Sequence, residues 1–117
     1  MSPDNIFEGA SGSENSESKP GERKLGYGAA VVETMAQIMR EDESVFLAGE
    51  DVGAHGGVFG YFRGLQPEFG DERVVDTPIA EQAIIGLGIG AAVQGMRPVV
   101  DLMFMDFICV AMDQIAN

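Results

Sequence analysis

One short run of this 117-residue chain, Asp76-Thr77-Pro78-Ile79-Ala80-Glu81, carries an acid where chemistry is feasible. Thr77 suits a helix N-cap with Pro78 at the first helical position, where the missing N–H costs nothing. A capping-box acid would then stand at position 80, which is Ala80, so Glu81 is one residue out of place for capping. The helix dipole by itself favours an acid in a first turn, and on spacing alone the structural and functional readings weigh equally. In the functional reading Glu81 lies at the carboxyl edge of a parallel sheet, where α/β proteins place ligands. Glu50-Asp51 occupies a comparable place, after an apolar run and before a glycine-rich loop; for Asp51 a solvated turn is explanation enough. Phe104 and Phe107 follow another apolar run and can either fill a core or offer a face to a planar ring.

Other candidates are weaker. The glycines of GLGIGAA invite a dinucleotide-binding reading, but that fingerprint needs them in the turn between strand and helix. Here Gly86, Gly88 and Gly90 fall inside the helix, so close helix packing accounts for them better. His55 has no second His, Cys or regularly spaced acid with which to bind a metal; it reads as polar surface. Cys109 lies among Ile108, Val110 and Ala111 and is expected to be a buried thiol rather than a nucleophile.

The elements that must position these residues follow from periodicity. Residues 29–42 place Val31, Met35, Ile38 and Met39 on one helical stripe. Val45 to Ala48 is a short apolar run that reads as a buried strand. Five glycines between Gly49 and Gly60 require loop. A helical turn broken by Pro67 is expected between Gly64 and Gly70, and Arg73 to Asp76 is a second strand. Residues 79–94 form a helix ended by Gly95. Its three internal glycines each cost about 1 kcal/mol relative to alanine, so something must compensate. Ala83, Gly86, Gly90 and Ala91 fall near one face and are expected to admit a close neighbour. Pro98 to Leu102 is a third strand, and a further helix begins at Asp106. There is no internal repeat. Helix, strand, loop, strand, helix, strand, helix implies an α/β fold with a parallel sheet flanked by helices.

Composition narrows the function. With 7 Lys+Arg against 19 Asp+Glu the net charge is −12, which leaves no basic face for nucleic acid or for anionic lipid. One cysteine excludes a disulfide scaffold and fits a reducing compartment such as the cytoplasm. No apolar run approaches the roughly 20 residues of a membrane span. Residues 1–24 hold only Ile6 and Phe7 as large apolar side chains and read as a disordered, Ser-rich acidic arm. From Leu25 onward 14 acids face four arginines, so the acidity belongs to the folded part, residues 25–117.

The segments LAGEDVGAHGGVFG, FGDERVVDTPIAEQAIIGLGIGAA, GMRPVVDLMFMDF and DQIAN together resemble the β subunits of the thiamine-diphosphate-dependent 2-oxoacid dehydrogenases. That family comprises the decarboxylating components of the pyruvate, branched-chain 2-oxoacid and acetoin dehydrogenase complexes. The likeness runs from Tyr27 to Asn117. AIIGLGIGAAVQGMRPVVDLMFMDF is most like acetoin-type subunits, with pyruvate dehydrogenase next. The resemblance implies the N-terminal part of a transketolase-like pyrimidine-binding domain, truncated inside a helix that should continue past Asn117. It makes Glu81 the carboxylate that hydrogen-bonds the cofactor's aminopyrimidine and so promotes proton removal from the thiazolium carbon. Sharing a proton implies burial of Glu81. Phe107 matches the aromatic position stacked on that ring, Ile79 and Met103 match apolar positions beside it, and Glu50 matches an acid near the cofactor.

Thiamine diphosphate and its Mg are, by the same resemblance, held mainly by a partner α subunit in an α2β2 heterotetramer. The acyl group then passes to a lipoyl acyltransferase core. Metal ligands are not expected in this chain, and it should be inactive alone. Two departures stand out. Phe62 replaces the small hydroxyl residue usual two places before Gly64-Leu65, and Asp101 replaces a common glutamate. A non-catalytic assembly or regulatory module of the same fold is the alternative from another class, and a truncation without a stable fold is a third. About three strands would leave sheet edge and apolar face exposed.

Overall fold

The computed structural model describes residues 24–117. The reading of an N-terminal arm therefore lies outside the described residues, except for exposed Lys24.

Helix α1, Tyr27–Glu41, buries Ala29, Val32, Met35, Ala36 and Met39. This corrects the expected stripe, because Val31 is exposed and Ile38 only borders the core. At about 100° per residue, Val32, Met35 and Met39 centre the buried face. Ala36 flanks it with a side chain small enough to let the helix approach the sheet, which turns Val31 outward. Asp42 ends the helix and accepts hydrogen bonds from the Ser44 N–H at 2.9 Å and hydroxyl at 2.6 Å. That turn delivers β1, Val45–Glu50, which is buried from Val45 through Gly49.

The sheet has strand order β2-β1-β3, with β1 parallel to both neighbours. Its partners are β2, Val74–Thr77, and β3, Arg97–Asp101. A strand covered on both faces has no polar side to show, hence the unbroken Val-Phe-Leu-Ala of β1. The core gathers Val32, Met35 and Met39 of α1 with Val45, Leu47, Val52, Leu65 and Val74. Leu65 opens the short α2, Leu65–Phe69. Pro67 does not break it, because a proline in the first turn forfeits no helical hydrogen bond. Arg73 ties the sheet's amino edge together, donating to Val45 O at 2.7 and 3.1 Å and to Asp42 O at 2.9 Å.

Helix α3, Glu81–Val93, begins later than the sequence implies. Thr77 is not its cap; it pairs with Glu50 as the last residue of β2, and Ala80 stands at the N-cap. Ladder pairing claimed Thr77, and Pro78, without an N–H, ended the strand. The close approach also falls elsewhere. Gly88, with Ile84, is buried, and a Cβ on Gly88 would lie 3.0 Å from Val100 Cγ1. Gly90 meets nothing within 4 Å and Gly86 meets only Gln114 Oε1 at 3.8 Å. After β3 the chain enters a 3₁₀ helix, Met105–Cys109, before a short α4, Met112–Ala116, so the helix expected from Asp106 starts as 3₁₀. Cys109 is exposed rather than buried. The tighter winding leaves no apolar element over it, whatever its sequence neighbours.

Candidate functional site

Three parallel strands bring three loops to one edge. Gly49 of β1 is in register with Asp76 of β2 and Asp101 of β3. Glu50, the turn from Thr77 to Glu81, and Met103 therefore leave the sheet side by side. A side chain at Gly49 would place a Cβ 2.8 Å from Asp101 O and 2.9 Å from Val52 Cγ1. Only glycine lets the strands close there.

Glu81 is the first residue of α3 and half-buried. This falls short of the burial that proton sharing implies, because no other described element covers that side. Its carboxylate makes no hydrogen bond or ion pair among the described residues, and neither does that of Glu50. Thr77 Oγ1, between them on the chain's path, is buried with no hydrogen-bond partner. A buried hydroxyl left bare costs free energy. Ile79 is 75% exposed, an apolar side chain with nothing yet to cover.

Met103 and Phe107 follow β3. Met103 is held at φ 69°, a left-handed conformation that is unfavourable for a residue with a Cβ and concentrates at functional sites. Phe107, in the 3₁₀ helix, packs edge-to-face on Phe104 at 5.9 Å between centroids. Asp101 lines a cleft of about 240 Å³ with Tyr27, Phe62 and Met103. Burial pushes its carboxyl above the ordinary aspartate range, while the Met103 backbone N–H pulls the other way. The departure at Phe62 is absorbed: its ring packs against the core, beside a loop glycine, Gly57, whose missing Cβ would lie 2.9 Å from Phe62 Cδ2. His55 and Asp51 are both exposed, 3.5 Å apart. No group of three or more His, Cys, Asp or Glu among the described residues is arranged to hold a metal ion.

Residues 23–117 match the family described as the transketolase, pyrimidine binding domain. The chain belongs to that family. It is 52% identical over 93 residues to the 2-oxoisovalerate dehydrogenase subunit beta of Bacillus subtilis (strain 168), covering 80% of this chain and 28% of that protein. It is 44% identical over 108 residues to the chloroplastic pyruvate dehydrogenase E1 component subunit beta-3 of Oryza sativa subsp. japonica, covering 92% and 28%. It is 46% identical over 88 residues to the pyruvate dehydrogenase E1 component subunit beta of Staphylococcus epidermidis, covering 75% and 27%. The chain thus spans little more than a quarter of the length of these relatives.

The pyrimidine-binding fold and the parallel sheet agree with what the sequence implies. Among the described residues no helix is long and apolar enough to cross a membrane. The donor set also suits a flat, weakly basic ring. The Glu81 carboxylate, without a partner among the described residues, offers a hydrogen bond, and Ile79, Met103 and Phe107 offer apolar contact. Sequence reasoning passed over Asp76, which accepts hydrogen bonds from the backbone N–H of Gly53 at 2.6 Å and of Ala54 at 3.3 Å. It also passed over Phe59 and Tyr61. An aspartate closing a strand opposite a glycine-rich loop was the available signal for the first; nothing local marks the rings.

Proposed function

We propose that this chain is the pyrimidine-binding part of a β subunit of a thiamine-diphosphate-dependent dehydrogenase complex. The enzyme decarboxylates or cleaves a small 2-oxo compound, namely pyruvate, a branched-chain 2-oxoacid or acetoin, in a reducing compartment such as the cytoplasm. The observation that carries the reading is Glu81: a half-buried carboxylate without a partner among the described residues, at the first residue of the helix that follows a parallel strand.

When bound, thiamine diphosphate supplies an electron sink for bond cleavage beside a carbonyl. Glu81 holds one proton at the ring nitrogen of the pyrimidine, its carboxyl group neither free in water nor locked in an ion pair. Phe107 presents its ring as a platform, and Ile79 and Met103 exclude water from the ring's edges. Glu50 adds a second acid at the same edge. These residues orient the ring and move its proton, and they offer no cations for a diphosphate. The α subunit of an α2β2 assembly supplies the Mg and diphosphate ligands, and a lipoyl acyltransferase core takes the acyl group.

The test is Glu81→Gln in the assembled α/β enzyme, with turnover followed through lipoyl acylation on pyruvate, acetoin and branched-chain 2-oxoacids. Loss of a positioned acid–base group lowers kcat by roughly 10²–10⁴-fold. Turnover unchanged by the substitution refutes the assignment.

A further inference from the structure

We propose that Asp76 is a positioning residue for the Phe107 ring: it pins the glycine-rich loop after β1, and rings at the end of that loop hold Phe104 and, through it, Phe107. The inference rests on Phe107 serving as the pyrimidine platform. The pin is well made. Both Asp76 oxygens are used, one by Gly53 N–H at 2.6 Å and one by Ala54 N–H at 3.3 Å, and bonds to a carboxylate are among the stronger kind. Gly53 has no room for a side chain, since a Cβ would lie 2.3 Å from Gln66 Nε2 and 2.7 Å from Asp76 Oδ2. Gln66 is itself anchored, its Nε2 donating to Val74 O at 3.1 Å.

Past the pin the loop closes on itself. Gly57 N–H donates to Asp51 O at 2.7 Å and Phe62 N–H to Gly56 O at 2.8 Å, with Gly56 and Gly57 both at positive φ. The closed loop then presents two rings. Tyr61 lies over Gly28 in the first turn of α1, where a Cβ would come within 2.6 Å of the ring. Phe59 stacks on Tyr61, with centroids 5.6 Å apart and planes at 29°. Its other contact is edge-on to Phe104 at 5.4 Å and 72°, and Phe104 meets Phe107 at 5.9 Å and 86°. Each geometry is one that the ring quadrupole favours, so each ring constrains the plane of the next. Phe59 and Phe104 are 56% and 45% exposed, so filling the core does not explain them. A series of rings running from α1 to the 3₁₀ helix does: it fixes which way Phe107 faces.

The experiment uses the assembled enzyme and measures two quantities, the thiamine diphosphate Kd by calorimetry and kcat at saturating cofactor. Phe59→Leu and Asp76→Asn are each made alone and together with Phe107→Leu, with Phe59→Tyr as the conservative control. Losing one ring contact weakens cofactor binding about 2–10-fold, leaves kcat at saturation little changed, and is restored in Phe59→Tyr. In the Phe107→Leu background neither change weakens binding further. An equal loss with and without the Phe107 ring, or no loss at all, overturns the inference. If Phe107→Leu alone leaves the Kd unchanged, the platform assignment falls and this inference with it. Should Asp76→Asn fail to fold, the Phe59 variants decide the matter.

Discussion

The two glycines Gly88 and Gly90 make a sharp test of how α3 is seated, because the same substitution should act in opposite directions two residues apart. Replacing a helical glycine by alanine gains about 0.8–1.0 kcal/mol of helix propensity. At Gly90 nothing lies within 4 Å of the new Cβ, so Gly90→Ala should stabilise the chain by that amount. At Gly88 the Cβ arrives 3.0 Å from Val100 Cγ1, on a β-branched side chain held in a strand that cannot swing away. Overpacking costs about 1–3 kcal/mol, which cancels or outweighs the gain and leaves Gly88→Ala neutral to about 2 kcal/mol destabilised. For a domain of this size 1 kcal/mol moves the melting temperature by roughly 4–8 °C, so the two variants separate by several degrees at least. Thermal unfolding followed by circular dichroism reads the difference. Equal melting temperatures would show that α3 does not rest on β3 through Gly88. Because α3 carries Glu81 at its first residue, lifting it off β3 also displaces that carboxylate. On the role proposed for Glu81, Gly88→Ala in the assembled α/β enzyme should therefore also weaken cofactor binding.

Further outcomes follow from the same coordinates. Leu47→Ala, at the fully buried centre of β1, should cost about 2–5 kcal/mol in urea unfolding. Arg73→Ala removes three hydrogen bonds to backbone carbonyls and a stack on Phe69 at 5.3 Å; a loss of about 1–3 kcal/mol is expected by the same measurement, since the acceptors are left bare. Asp101, raised by burial, binds its proton more tightly folded than unfolded. Its contribution to stability is therefore greatest in acid and falls as pH climbs from the ordinary aspartate value through the raised one. The difference in urea midpoint between wild type and Asp101→Asn should shift across that window and flatten above it; no pH dependence in the difference would contradict burial of the carboxyl. Asp42 has the opposite sign. Its hydrogen bonds from Ser44 lower its pKa, so the support it lends is present above the ordinary value and fades in acid. Cys109, exposed, should react with a thiol reagent without denaturant.

Much of this architecture can be read from residue patterns, for reasons that also explain the misses. Val45 to Ala48 could only be a buried strand, and the glycines around it could only be loop. Alternating strands and helices then required parallel pairing, which sets Glu50, Glu81 and Met103 at one edge. What the pattern could not settle was competition between neighbours. Thr77 has the chemistry of a cap, yet pairing with Glu50 claimed it for the strand. Cys109 stands among apolar residues, yet 3₁₀ winding turned it out. The helical stripe was misplaced by one position because Ala36 carries little hydrophobicity by type and much by location. Asp76 and the aromatic series lay beyond reach for another reason: the contacts that join them, Asp76 to Gly53 and Phe59 to Phe104, span 23 and 45 residues, and no local spacing records such meetings.

Acids outnumber arginines where the strands begin, with Asp42 and Glu43 ahead of β1 and Asp71 and Glu72 ahead of β2. Arg73 spans the backbone of Asp42 and Val45, and Arg97 sits 3.3 Å from Asp42 Oδ2. Glu50 and Glu81 make no ion pair among the described residues where the strands finish. Acidic side chains therefore stand at both ends of the sheet, and a polyanion approaching the end with Glu50 and Glu81 is repelled by them. On the function proposed above, a cationic neighbour docked at that edge would lower the barrier to a diphosphate-bearing cofactor, and salt would lower it by screening.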